Sequence, residues 1–471
     1  MKSWSISTVV SASVVLAGCL GEVKSARQTN EGSQYRELQG GGDSNTSSEL
    51  GGGPEQSISF DAGESNGGAG YQSSGTSGEA GSNSATTSGG SQTGGSSNSG
   101  NGAAGELLDS GAGEQPPTPT LGACNDLAAT GVFEEITPPE VKAGIGVVRD
   151  GGGTFAIAVD PVNQGTLYAG TMFSKVWKSV DCGATWTHIS TGRNGSLVDS
   201  GMNWTFAIDP QEPKVVYTNS GYGSNALYKS SNGGVDWDVV WPPPSQPELA
   251  DAFQYNFANV VAIDPYNHSH LLLTFHESCR PPHTATCIAE SLDAGVSWRL
   301  LDGEPGWDGN EGQVVFFLND SNTWLWGSQN NGFWRSGDRG QSWQAIHGMT
   351  TSHLQGSQLV RTRDGTFYVA GSDGIWRSHD GAASTWTLMQ DTGPIAGGLV
   401  ANGTNMFAST CYFPGFCNPR YLRSPEADGR QWTPLENSPN LSQGGTMAYD
   451  EGHKLLYSSN LQGGLWRVVL E

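Results

Sequence analysis

The stretch Ser336-Gly-Asp-Arg-Gly-Gln-Ser-Trp343 decides how the rest of the chain is read. Versions of the same pattern, Ser-x-Asp-x-Gly-x-x-Trp, stand at Ser179–Trp186, Ser230–Trp237, Ser291–Trp298, Ser378–Trp386 and Ser424–Trp432. Ser and Asp side chains hydrogen-bond nearby backbone in a tight turn, and Gly supplies a positive-φ position. The Trp offers a large apolar body for packing beside a neighbouring unit. Each copy is therefore read as a structural turn. Asn232 replaces the Asp in the second copy, which a turn tolerates. The fifth and sixth copies carry an inserted residue, and Glu426 takes the Asp position in the sixth, so those units should be less regular.

Around these turns the chain repeats itself. An apolar strand runs into a turn at Phe155-Ala-Ile-Ala-Val-Asp160-Pro161, Phe206-Ala-Ile-Asp209-Pro210 and Val260-Val-Ala-Ile-Asp264-Pro265, with weaker forms ending at Asp320, Asp364, Asn402 and Asp450. These seven turns recur at intervals of 38 to 56 residues. A second strand follows each turn, as at Thr166–Gly170, and a third leads into the box, as at Phe333-Trp-Arg-Ser336. The box turns the chain into a fourth strand, as at Trp186-Thr-His-Ile189. Four short antiparallel strands per unit, repeated radially, describe a propeller blade. The fold class is therefore all-β, a single seven-bladed β-propeller. The seventh unit stops at its third strand, Leu465–Leu470, and Phe133-Glu-Glu-Ile136-Thr137 copies the missing fourth. Residues Val132–Thr137 should close the last blade and seal the ring, which leaves no frayed edge.

The box resembles the Asp-box (BNR repeat) of sialidase-like and related β-propellers. Sialidases pair it with an arginine cluster opened by Arg-Ile-Pro, a motif this sequence does not contain. Gly151-Gly-Gly-Thr-Phe-Ala-Ile-Ala-Val-Asp-Pro161 followed by Thr166-Leu-Tyr-Ala-Gly-Thr171 resembles the opening of the first blade of the xyloglucan-hydrolysing family. That resemblance implies a glycoside hydrolase with a catalytic Asp directly after this strand. Here the matching position is Met172, and the repeats make one propeller where that family has two.

The remainder of the chain is tether and staples. Met1-Lys2 and the apolar run Val9–Leu16 form a secretory signal too short to span a membrane. Leu16-Ala17-Gly18-Cys19 looks like a bacterial lipobox, which implies cleavage before Cys19 and lipidation of its thiol. The expected layout is a lipoprotein signal peptide over 1–18, a lipidated cysteine with a Gly/Ser-rich low-complexity linker over 19–120, and the propeller over 121–471. Such a linker cannot offset the entropy of ordering, and ~100 residues of it span roughly 50–60 Å. Leu20 stands where an Asp would have hinted at inner-membrane retention, so the expected location is the cell envelope, at the outer membrane or cell surface of a bacterium. The six other cysteines should pair in an oxidising compartment. Their places on the blades give Cys124–Cys182, Cys279–Cys287 and Cys411–Cys417.

A formal charge of −23 excludes a phosphate-gripping nucleic-acid binder and leaves the lipid anchor as the membrane contact. No metal-ligand spacing or cofactor motif is read, and a monomer is expected. Strand direction puts the Asp turns and the boxes on one face. The hairpins between second and third strands, and the blade-to-blade loops, lie on the other, and loops on a rigid scaffold are where function sits. That loop face should carry Trp204, Tyr222, Trp241, Tyr255, Trp307, Asn330 and Tyr412, flat rings and an amide suited to a sugar face. A hydrolase needs two carboxyl groups across the scissile bond, and Glu277, Glu311 and Asp373 are the candidates. The reading that follows is a surface-displayed head binding a glycan or protein partner through its loop face. The alternatives are a glycoside hydrolase of the xyloglucanase-like class and an envelope assembly or scaffold factor.

Overall fold

A computed structural model describes residues 117–253, 256–279, 288–301, 313–328, 331–349, 358–371, 373–389, 397–410, 420–439 and 445–471, with the single positions 281, 283 and 392. Seven four-stranded antiparallel sheets follow one another along the chain. Blade I is Thr154–Val159, Leu167–Thr171, Trp177–Ser179 and Thr187–His188, and blade II is Phe206–Ile208, Val216–Asn219, Leu227–Ser230 and Asp238–Trp241. Blade III is Ala258–Asp264, Asn267–Phe275, Ile288–Ser291 and Arg299–Leu300, and blade IV is Val314–Phe317, Trp324–Ser328, Gly332–Ser336 and Gln344–Ala345. Blade V is Leu359–Arg361, Phe367–Gly371, Gly374–Ser378 and Thr387–Leu388, and blade VI is Leu399–Ala401, Asn405–Ser409, Tyr421–Pro425 and Thr433–Pro434. Blade VII takes Met447–Asp450, Leu455–Ser459 and Leu465–Val469 from the end of the chain, and Phe133–Glu135 from before blade I.

The closing strand lies where the repeat count requires it. Phe133 pairs with Val468, Glu134 with Arg467 and Glu135 with Trp466. Phe133 also stacks on Tyr421 of blade VI at 5.3 Å, so the strand is held from two sides. The segment leading into it is tied to blade I: Thr120–Leu121 runs parallel to Asn163–Gln164, and Cys124 is disulfide-bonded to Cys182. Residues 120–137 therefore strap blade I to blade VII. Cys279 is also disulfide-bonded, and its partner lies outside the described residues, as do Cys287, Cys411 and Cys417.

The boxes are turns with internal hydrogen bonds. In the fourth, Ser336 Oγ donates to Asp338 Oδ1 at 2.8 Å, and the Gly340 amide donates to Ser336 Oγ at 2.8 Å. The Ser342 amide and hydroxyl both donate to Asp338, at 2.8 and 2.6 Å. Burial raises the Asp338 pKa, but these hydrogen bonds outweigh it and hold the carboxyl below its usual range. A carboxylate so committed is structural. Asp160, Asp209 and Asp264 act alike one turn earlier, each accepting backbone amides that follow it.

Contacts between blades are built from aromatic side chains. The box Trp237, Trp298, Trp386 and Trp432 are all buried. Second-strand tyrosines reach the next blade's box: Tyr217 Oη donates to the Ala294 carbonyl, Tyr368 Oη to that of Asp428 and Tyr457 Oη to that of Cys182. Among the described residues, no helix is long and apolar enough to cross a membrane.

Candidate functional site

The loop face gathers aromatic side chains from three adjacent blades and a leucine from a fourth. Trp204, just ahead of the first strand of blade II, meets Phe155 of blade I edge to face at 4.0 Å. On its other side it stacks with Phe257, which precedes blade III, at 6.0 Å. Phe257 stacks on His276 at 4.4 Å, and Tyr222 stands across both, 4.7 Å from Phe257 and 5.3 Å from His276. Met172, Phe173, Met202 and Leu461 complete this apolar cluster, the last from blade VII. Arg149 lies 4.7 Å over the Phe173 ring, and its Nη1 donates to the Tyr222 carbonyl at 3.4 Å.

Three hairpins pay a conformational cost to present these side chains. Phe173 has φ +56°, Tyr222 φ +56° and Leu461 φ +49°, and each follows the second strand of blade I, II or VII. Bulky residues rarely adopt this left-handed region, and such outliers concentrate at functional sites. Gly221 is what allows Tyr222 to sit as it does. A Cβ there would lie 2.6 Å from both Trp204 Nε1 and Phe257 Cε2.

The cluster has one accessible ring and one unsatisfied donor. Tyr222 is 44% exposed. The Trp204 indole N–H is buried and has no hydrogen-bond partner. Buried polar groups are nearly always paired, so this donor stands out, as do the buried indole N–H groups of Trp237 and Trp386 in the core. The scaffold beneath is rigid. Asn203 Nδ2 donates to the Asn219 carbonyl at 2.6 Å, Asn219 Nδ2 to that of Ala258 at 2.6 Å, and Asn259 Nδ2 to that of Gln313 at 2.9 Å. These amides clasp the inner strands of blades II, III and IV together.

The sequence candidates divide sharply. Trp204 and Tyr222 come together in this cluster. Trp241 does not: it is 1% exposed, packed between Phe275 at 5.0 Å and Trp298 at 5.8 Å. Its place at the end of a fourth strand makes it core, which corrects the expectation of a loop-face ring. Tyr255, Trp307, Asn330, Tyr412 and Glu311 lie outside the described residues. Glu277 is exposed, and its backbone is held by Asn256, whose Oδ1 accepts the Glu277 amide at 2.8 Å. Asp373 accepts the Trp376 indole N–H at 2.8 Å, which ties it to its own hairpin. Glu277 belongs to the hairpin of blade III and Asp373 to that of blade V, with blade IV between them.

Phe257 and His276 belong with Trp204 and Tyr222 to the loop-face set that the sequence marks, whereas Phe155, Phe173 and Leu461 were not expected there. The signal was their position: Phe155 stands at the start of a first strand, and Phe173 and Leu461 follow second strands by two residues. For metals, the one group of three potential ligands among the described residues is Cys124, Cys182 and His453, and both sulfurs there are in the disulfide.

No protein-family model matches the chain. A xyloglucanase of Acetivibrio thermocellus is 26% identical over 178 residues, which is 32% of this chain and 20% of that protein. A xyloglucanase of Hypocrea jecorina is 22% identical over 317 residues, 60% of this chain and 32% of that protein. The chain resembles xyloglucanase propellers in sequence. The crystal structure of the Niastella koreensis GH74 enzyme carries the same fold, with a TM-score of 0.50 and 17% identity over 71% of this chain and 53% of that one. The chain thus spans between a fifth and a third of the length of these curated xyloglucanases.

Proposed function

We propose that this propeller is a glycan-binding head that receives a neutral polysaccharide on its loop face. The observation that carries the reading is the exposed Tyr222 ring beside the buried, unpartnered indole N–H of Trp204. A sugar ring offers an apolar C–H face for stacking and hydroxyl oxygens as acceptors, which matches that pair. The xyloglucanases to which the chain is similar make a β-glucan of the xyloglucan kind the first ligand to test. The acidic surface is consistent with a neutral ligand. On this reading Cys19 carries the lipid and the Gly/Ser segment gives the head reach from the envelope, so Cys19→Ser should move the protein from the membrane to the soluble fraction.

A second reading, hydrolysis, is supported by the activity in the relatives' names. Against it stands Met172, where the resembling family has its catalytic Asp, and the separation of Glu277 from Asp373 by a whole blade. Binding and reducing-end release on xyloglucan and other soluble polysaccharides separate the two. Retention without new reducing ends supports the binding head. Release that Glu277→Gln abolishes supports a hydrolase, and no response to any polysaccharide points to a protein partner.

A further inference from the structure

The sixth box breaks the rule that the others keep, and the break opens a second site on the opposite face. In blades I, III and IV the box Ser donates to the box Asp at 2.7, 2.8 and 2.8 Å. In blade VI, Glu426 stands at the Asp position, and its longer side chain turns away. Neither Ser424 Oγ nor Glu426 Oε2 has a hydrogen-bond partner, and both atoms are buried. Glu426 Oε1 instead crosses to blade V, where it accepts the Arg363 amide at 3.0 Å. The residue as a whole is 8% exposed.

Glu426 forms one wall of a cavity of about 200 Å³ at the first-strand ends of blades V, VI and VII. Arg361, Arg363, Asn402, Tyr449 and Glu451 form the rest with the backbone of the Asn402 turn. Arg361 is held in place: its Nη1 donates to Tyr266 Oη at 3.0 Å, and its guanidinium lies 5.5 Å over the Phe367 ring. Arg363 forms an exposed ion pair with Glu451, whose Oε1 lies 3.6 Å from its Nη2, longer than a hydrogen bond, so the guanidinium keeps hydrogen-bond donors for another acceptor. Its guanidinium rests on the Gly403 backbone, where a Cβ would lie 2.4 Å from Arg363 Cζ. Gly403 has φ +80°, so both its conformation and its bareness serve that contact.

The walls therefore present opposite needs within one small space. A buried carboxylate oxygen lacks a donor, and guanidinium groups retain donors of their own. An anion would leave Glu426 unanswered, and a simple cation would face two arginines. A zwitterion meets both requirements, and the volume is ample for a small amino acid together with its bound water. We propose that this cavity binds a small α-amino acid, with its ammonium group toward Glu426 and Glu451 and its carboxylate toward Arg361 and Arg363. The site is separate from the aromatic cluster and does not depend on the glycan reading.

Calorimetric titration of the full chain with glycine, L-alanine, methylamine and acetate tests this. At least one of the two amino acids should bind saturably, with methylamine and acetate at least roughly tenfold weaker, the scale of a lost charged hydrogen bond. Glu426→Gln and Arg363→Met should each weaken amino-acid binding by a similar factor, with each folded variant keeping the parent's circular dichroism spectrum. Arg363 is exposed, so its variant remains informative if Glu426→Gln does not fold. The proposal is overturned if neither amino acid binds, if methylamine or acetate binds as tightly, or if both folded variants bind like the parent.

Discussion

Tyr222 Oη and His276 Nε2 lie 3.1 Å apart, joining the hairpin of blade II to the end of the second strand of blade III. The bond fixes the orientation of the exposed Tyr222 ring against Phe257 without covering it. Tyr222→Phe keeps the stacking body and removes this tie. It should weaken polysaccharide binding by a few-fold, the scale of one neutral hydrogen bond, with little change in melting temperature. Binding isotherms of the two proteins, paired with their melting curves, check this. A variant that binds as tightly as the parent shows the tie to be dispensable.

Gly221 is the tightest point beneath the cluster. In Gly221→Ala the new methyl group meets Trp204 Nε1 and Phe257 Cε2 at 2.6 Å, both within well-packed rings. Overpacking of this kind costs about 1–3 kcal/mol, so denaturant unfolding should show a loss in that range together with weaker glycan binding. Unchanged stability would mean that the loop relaxes freely.

The strap makes a prediction about the whole ring. A chain beginning at Glu140 lacks Phe133–Glu135 and the Cys124–Cys182 link, and leaves the edge strand Leu465–Val469 open. Loss of a disulfide alone typically costs 2–5 kcal/mol, so melting should fall by on the order of 10 °C. Cys124→Ser, which keeps the strand, should fall between the two. Equal melting of all three proteins would contradict closure by the strap.

Buried charge sets an acid limit. Glu290 has no exposed side-chain surface and bridges Arg339 at 2.7 Å, Arg299 at 2.7 Å and His270 at 3.0 Å. Burial opposes its charge, but the His270 and Arg339 hydrogen bonds and the Arg299 charge prevail and bring its pKa down to about 2. A depressed carboxylate stabilises the fold fully above its unfolded value of 4.5, and that contribution is lost as pH falls toward about 2. Glu290→Gln should cost roughly 3 kcal/mol near neutrality, because the arginines lose their buried partner. The stability gap between parent and variant should then shrink from pH 5 to pH 2, measured by denaturant unfolding. A constant gap would contradict the assignment.

The blades were legible because their signals are local. Ser336, Asp338, Gly340 and Trp343 lie within one turn, and Asp160 or Asp264 within another, so spacing alone marks them. Blade closure was legible from counting, since Phe133–Glu135 repeats the pattern of a fourth strand that blade VII otherwise lacks. What escaped was most of the contact between blades, the box tryptophans and the Cys124–Cys182 link apart. Tyr368 reads as an ordinary alternating strand residue, yet its hydroxyl reaches the box of blade VI, 60 residues on. Phe155 likewise reads as a strand residue and Leu461 as a strand flank, and they join one cluster only because the ring brings blades I and VII side by side. Trp241 misled for a related reason: it borders the Pro242–Pro244 loop in sequence, while its ring turns back into the core. Glu426 was visible as a departure, but the cavity it lines depends on Arg363 from another blade.

The central claim is that Tyr222 and Trp204 form a sugar platform. Calorimetric titration of xyloglucan oligosaccharides into the parent protein and into Tyr222→Ala tests it most directly. The parent should bind saturably and generate no reducing ends, and Tyr222→Ala, with its fold intact, should bind at least about tenfold more weakly, the scale of a lost aromatic stack. Equal binding by both proteins, or none by the parent, would contradict it.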